Sequence, residues 1–134
     1  GMDKRYEQGQ TPSTPPISLI QALRAQLDDM LAEGLEARWE RHRTMAAHVQ
    51  GWARERFALY SDERHLSPTV TNIMNSRAGV VVSELRAELA ARGAEISDGY
   101  GALKGDCFRI AHMGDLQMSD IQWLLGQIDD ILGL

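Results

Sequence analysis

The sequence predicts an α+β domain: a small antiparallel or mixed sheet of three to four strands covered by helices, entered through a long N-terminal helical segment. Three observations predict it. Apolar side chains recur at three- and four-residue steps from Ile20 to Phe57, the spacing of a helix face. Short apolar runs follow, one of them, Val70–Met74, rich in β-branched residues, bounded by Pro, Gly and Ser and with two further helical stripes among them. The 134 residues, 43% hydrophobic and 25% charged, suit one domain with a modest core of its own and argue against wholesale disorder.

Residues 1–13 read as an extended leader, with Gly1 before Met2 as a tag scar, and residues 14–134 read as the domain. Pro12, Pro15 and Pro16 keep the junction extended, because proline turns its predecessor away from the helical region. Two helix starts are open. Thr14 can serve as N-cap with Pro15 at the first helical position, or Ser18 and Gln21 can form a capping box. Ile20, Leu23, Leu27, Met30 and Leu31 then make one stripe, interrupted by Gly34. A second run sets Leu35, Trp39, His42, Ala46, Val49, Ala53 and Phe57 on one face and a charged set, including Glu36, Arg38, Glu40 and Arg54, on the other. Propensity alone does not stabilise such a pair of helices, so they must cover something.

After Phe57 the pattern changes. Strands are expected at 58–60, 70–74, 94–96 and 107–112, with a turn at Ser67 and Pro68. Val81, Val82, Leu85 and Leu89 form a helical stripe ended near Gly93. The last helix buries Ile121, Leu124, Leu125, Ile128 and Leu132; Ser119 and Gln122 are its expected capping box, with Met118 and Trp123 as the hydrophobic staple.

Composition excludes several functions. A formal net charge of -5 argues against a general nucleic-acid binder. The lone Cys107 rules out an internal disulfide and any multi-cysteine metal site. No apolar run approaches the roughly 20 residues of a membrane span, and the polar, proline-rich start is unlike a secretory signal. A soluble cytoplasmic chain is the expectation.

Few residues suggest chemistry. The loop Gly99–Gly105 (GYGALKG) is followed by a strand, whereas a dinucleotide fingerprint opens a helix, so it reads as a plain connection. His42, His48, His65 and His112 make no ligand pair at a useful spacing, and no metal is expected. Cys107 has no evident base beside it and reads as an inert buried thiol. Two candidates remain. In the strand CFRIAH, Phe108 and Ile110 share one face and Arg109 takes the other, as either a solvated arginine or a carboxylate grip. The segment Thr11–Pro16 sets hydroxyls beside a helix start, as either a cap and stiff leader or an anion site.

These motifs, taken in order, resemble a known family. Residues 12–19 (PSTPPISL), 28–36 (DDMLAEGLE), 41–43 (RHR), 67–71 (SPTVT), the GYGALKG loop and 108–114 (FRIAHMG) look like the C-terminal small domain of class V pyridoxal-phosphate aminotransferases of the alanine–glyoxylate and serine–glyoxylate type. The resemblance runs from about Pro12 to Leu134. It implies the small domain of a fold-type I, homodimeric enzyme that moves an amino group between an amino acid and a 2-oxo acid such as glyoxylate or pyruvate. By resemblance, Arg109 holds the substrate's α-carboxylate, and Ser13 or Thr14 reaches the cofactor phosphate of the neighbouring subunit. Ala111 departs from the pattern, since relatives often carry glycine there.

Transamination also needs a Schiff-base lysine and an acidic partner for the pyridine nitrogen. In relatives both belong to a large domain preceding this one, and neither Lys4 nor Lys104 matches the lysine. The resemblance therefore implies a segment that is inactive and without bound pyridoxal phosphate when alone. Its expected partners are a large domain, in the same polypeptide or a separate one, and a second copy in a dimer or higher oligomer. Neither nucleic acid nor membrane is expected as a partner. A stand-alone binding or oligomerisation module that reuses the same fold is the alternative.

Overall fold

The computed structural model describes residues 7–11 and 13–134; the tag scar at Gly1, Lys4 and Pro12 lie outside the described residues. The chain divides into two units, one ending at Arg38 and one spanning Trp39–Leu134.

In the first unit, helix α1 (Ile17–Glu33) starts at Pro16 rather than at either expected cap. Pro16 lends its carbonyl to the Ile20 amide at 3.1 Å, while the Ile17 amide turns back to the Pro15 carbonyl at 2.9 Å. The two prolines thus set the start through backbone geometry, and no side chain caps it. Gly34 ends the helix at φ 87, a left-handed conformation that suits glycine. No α1 residue is buried, and Ile20, Leu23, Leu27 and Leu31 are all exposed.

Helix α2 (Leu35–Arg56) follows at once. From Trp39 onward it belongs to the second unit, where Met45, Ala46, Val49, Trp52, Ala53 and, just beyond the helix, Phe57 are buried. The buried stripe is rotated from the expected one: Met45 and Trp52 enter the core, whereas Leu35 and Trp39 are exposed. Trp52 donates from Nε1 to Asp129 at 2.9 Å, so its polar edge is satisfied as its ring is buried.

The sheet has four antiparallel strands in the order β1-β2-β4-β3: β1 (Ala58–Leu59), β2 (Val70–Met74), β3 (Ser97–Asp98) and β4 (Cys107–Ala111). Helix α3 (Val82–Ala91) precedes β3, and helix α4 (Met118–Leu132) closes the chain. One sheet face carries Ile73, Phe108 and Ile110. They join α2, Val82, Leu85 and Leu89 of α3, and Ile121, Leu125 and Ile128 of α4 in a single core. Phe108 meets Phe57 edge to face, centroids 5.2 Å apart, at the centre.

Three expectations shift here. β3 pairs at Ser97 and Asp98, not 94–96, because α3 ends in a Schellman turn in which Ala94 still donates to Leu89 and Gly93 to Ala90. Ala94 and Ile96 are buried nonetheless. α4 begins two residues early: Asp120, not Gln122, takes an N-cap amide, that of Gln117, at 2.8 Å. Met118 is therefore the first helical residue, and no longer precedes the cap as the staple required. Among the described residues no helix is long and apolar enough to cross a membrane.

Candidate functional site: a half-buried arginine on the second sheet face

The second face of the sheet carries polar groups. Register places Asn72 of β2, Arg109 of β4 and Ser97 of β3 side by side in one row. Side chains alternate along a strand, so this row points away from Phe108 and Ile110. Arg109 is half-buried and donates from Nε to the Asp98 carbonyl at 3.0 Å. That bond fixes the guanidinium's plane and leaves its two terminal nitrogens without a partner among the described residues. Beside it, Asn72 has a buried amide oxygen with no hydrogen-bond partner.

A glycine loop borders the row. The Asp98 carboxylate accepts from the Gly99 and Gly105 amides at 2.7 and 2.9 Å, pinning both ends of the loop. Those amides, Gly105's foremost, and the charges of Arg86 and Lys104 hold Asp98 below the usual carboxylate range. Gly99 is required by close approach: a Cβ there would lie 1.9 Å from the Leu103 carbonyl oxygen. A surface cavity of about 520 Å3 opens between loop and strand, lined by Arg86, Asp98, Tyr100, Lys104 and Arg109 among others. It can hold a small anion by paired N–H donors.

Two further titratable groups, His112 and Cys107, belong to the packed structure. His112 is buried, with Nδ1 at 3.2 Å from the Pro68 carbonyl and Nε2 at 2.8 Å from the Thr71 hydroxyl. A carbonyl only accepts, so Nδ1 carries the proton and Nε2 accepts from Thr71. Burial, reinforced by the nearby His42, pushes the His112 pKa down. Burial likewise pushes the Cys107 thiol up, helped by Asp106, which keeps it protonated and unreactive. Among the described residues no group of three His, Cys, Asp or Glu side chains could hold a metal ion.

Ser13 and Thr14 lie exposed in the first unit, ahead of α1. Their hydroxyls have no partner among the described residues, and the N-terminus of α1 has no side-chain cap. Two free hydroxyls before uncapped helix amides are a donor set that fits phosphate. Sequence reasoning missed Asn72 and Arg86 as neighbours of Arg109 and weighed Lys104 only as a nucleophile. Only strand pairing and loop closure bring them together, and neither leaves a local pattern.

The chain matches no protein-family model. It is 34% identical over 124 residues to the soluble hydrogenase small subunit of Synechococcus, covering 91% of this chain and 32% of that one. It is 36% identical over 115 residues to an uncharacterized aminotransferase of Methanocaldococcus jannaschii, covering 83% of this chain and 30% of the relative. The crystal structure of an alanine–glyoxylate aminotransferase from Nostoc superposes with a TM-score of 0.82 at 25% identity, over 91% of this chain and 33% of that one. Fold and sequence therefore define the class: the chain carries the small-domain fold of the class V aminotransferases and is related to them. It spans about a third of the length of the curated relatives it matches. Several of those relatives are named as transaminases of glyoxylate or pyruvate.

Proposed function

We propose that this chain acts as the substrate-gripping small domain of a pyridoxal-phosphate aminotransferase, whose amino group passes between an amino acid and a 2-oxo acid such as glyoxylate or pyruvate. One observation carries the reading: Arg109 is half-buried on the second sheet face, tethered by Nε, with neither terminal nitrogen bonded among the described residues. A guanidinium held that way presents two parallel donors, the geometry that matches a carboxylate. The relatives' names alone do not decide the activity, since one of them names a hydrogenase subunit.

Arg109 binds and orients the α-carboxylate, and Ser13 or Thr14 would hold the cofactor phosphate. Pyridoxal phosphate, when bound, supplies the electron sink that lets the amino group transfer. The Schiff-base lysine and the acid facing the ring nitrogen come from a large domain, in this polypeptide or another, in the cytoplasm. Exposed Leu23, Leu27 and Trp39 favour burial against that domain or a second copy, because apolar patches seek cover.

Nuclear magnetic resonance titration of the chain with glyoxylate tests the grip. Glyoxylate is expected to shift the Arg109 Nε–H resonance, and Arg109→Gln is expected to abolish saturable binding. Unchanged binding in that variant would overturn the reading. Addition of pyridoxal phosphate and borohydride is expected to leave Lys4 and Lys104 unmodified; a stable adduct on either contradicts the assignment of the Schiff base to another domain. Sedimentation is expected to find a dimer or higher oligomer, and a monomer at micromolar concentration would count against self-association.

A further inference from the structure

Strand β3 is the edge of the sheet, and its backbone alternation gives that edge a particular use. The Gly99 amide bonds inward to the Cys107 carbonyl of β4 at 2.8 Å. In an antiparallel ladder the amide and carbonyl of one residue point to the same side, and the next residue's point to the other. The carbonyls of Ile96 and Asp98 therefore point outward, about 7 Å apart by strand rise. Each is taken by an arginine Nε: Arg86 of α3 donates to Ile96 at 3.0 Å, and Arg109 of β4 donates to Asp98 at 3.0 Å. Two guanidiniums from different elements are thus tethered at neighbouring points on one edge. Neither has a partner for its terminal nitrogens among the described residues, and both line the same cavity.

The charge there is one-sided. Arg86, Lys104 and Arg109 line the cavity with a single carboxylate, that of Asp98, one oxygen of which accepts from the Gly99 and Gly105 amides. One guanidinium suffices for a monocarboxylate. A second, tethered about 7 Å along the same edge with Lys104 lining the cavity beside it, matches a ligand that carries a second negative group. We infer that Arg86 and Arg109 form a two-point seat for a short dicarboxylate, an amino or 2-oxo acid with a distal carboxylate. In this seat Arg109 takes the α-carboxylate, and Arg86, supported by Lys104, takes the distal one. This rests on the reading of Arg109 given above and adds Arg86 as the residue that selects the substrate.

The test compares succinate with propionate, ligands of similar shape that differ by one carboxylate, by resonance titration of the chain. Wild type is expected to bind succinate about tenfold more tightly, the effect of one charge-assisted contact. Arg86→Gln is expected to erase that preference while leaving propionate affinity unchanged, and Arg86→Lys, which keeps the charge without the fork, to retain part of it. Equal wild-type affinities, or a preference that survives Arg86→Gln, would overturn the proposal. So would loss of both ligands alike in the glutamine and lysine variants, the pattern of a merely structural tether to Ile96. Arg109→Gln separates the two readings. It is expected to weaken both ligands; if propionate binds it as before, the carboxylate grip itself fails, whereas a failure at Arg86 alone leaves that grip standing.

Discussion

Strand β4 turns different chemistry to its two sides. On one side Phe108 and Ile110 are fully buried against α2, α3 and α4, and His112 just beyond the strand has both ring nitrogens satisfied by Pro68 and Thr71. On the other side Arg109 keeps free donors and its neighbour Asn72 keeps an unpaired amide oxygen among the described residues. The first face has its polar needs met and its apolar surface covered. The second holds hydrogen-bonding capacity in reserve. Stability is therefore expected to reside in one face and recognition in the other, a division that substitutions can break.

The largest effect belongs to Phe108→Ala. Removing a fully buried ring that meets Phe57 edge to face should cost about 3–5 kcal/mol in denaturant unfolding, enough to unfold a marginal domain. Gly99→Ala comes next, at about 1–3 kcal/mol, because the new methyl collides with the Leu103 carbonyl and the loop must move. Its amide shifts should concentrate in residues 98–106; a silent spectrum there would contradict the close approach.

Smaller still is the pH response of the covered face. His112 has a folded pKa below its unfolded value near 6.5, so the unfolded chain binds the extra proton more readily. Its contribution to stability is complete above about pH 6.5 and is lost as pH falls through the folded pKa. Urea midpoints should decline with acidification below that point, and His112→Gln should flatten the decline. The smallest stability change is expected for Arg109→Gln, about 1 kcal/mol or less for the lost Nε bond to Asp98, while the same substitution is expected to abolish carboxylate binding. A large loss of stability there would collapse the distinction between the faces.

Much of this was visible in the sequence, and the misses have physical causes. β2 lies where its β-branched run placed it, at Val70–Met74, and Gly34 breaks the helical pair as expected. Periodicity placed the helices but misjudged the buried side of α2, since apolar Trp39 is exposed while Met45 is buried. Caps were misjudged because several short polar residues stood near each helix start, and backbone geometry chose among them. At α1 it chose a proline carbonyl, and at α4 it set Gln117 as the cap with Asp120 accepting its amide. Arg109 was singled out by its alternation with Phe108 and Ile110. Arg86 was not, because it sits on an amphipathic helix where a charged residue is ordinary.

By itself the sequence determined the local periods, the breaks between them and the opposition of Arg109 to its apolar neighbours, all of which follow from side-chain direction along a single element. Only the tertiary structure decided which residues stand next to Arg109. Antiparallel register brought Asn72 and Ser97 into its row, and the Ile96 carbonyl just before β3 holds Arg86 at the same edge. Those relations join residues from 10 to 37 positions apart, and the pairing of such backbone groups carries no repeating signal along the chain.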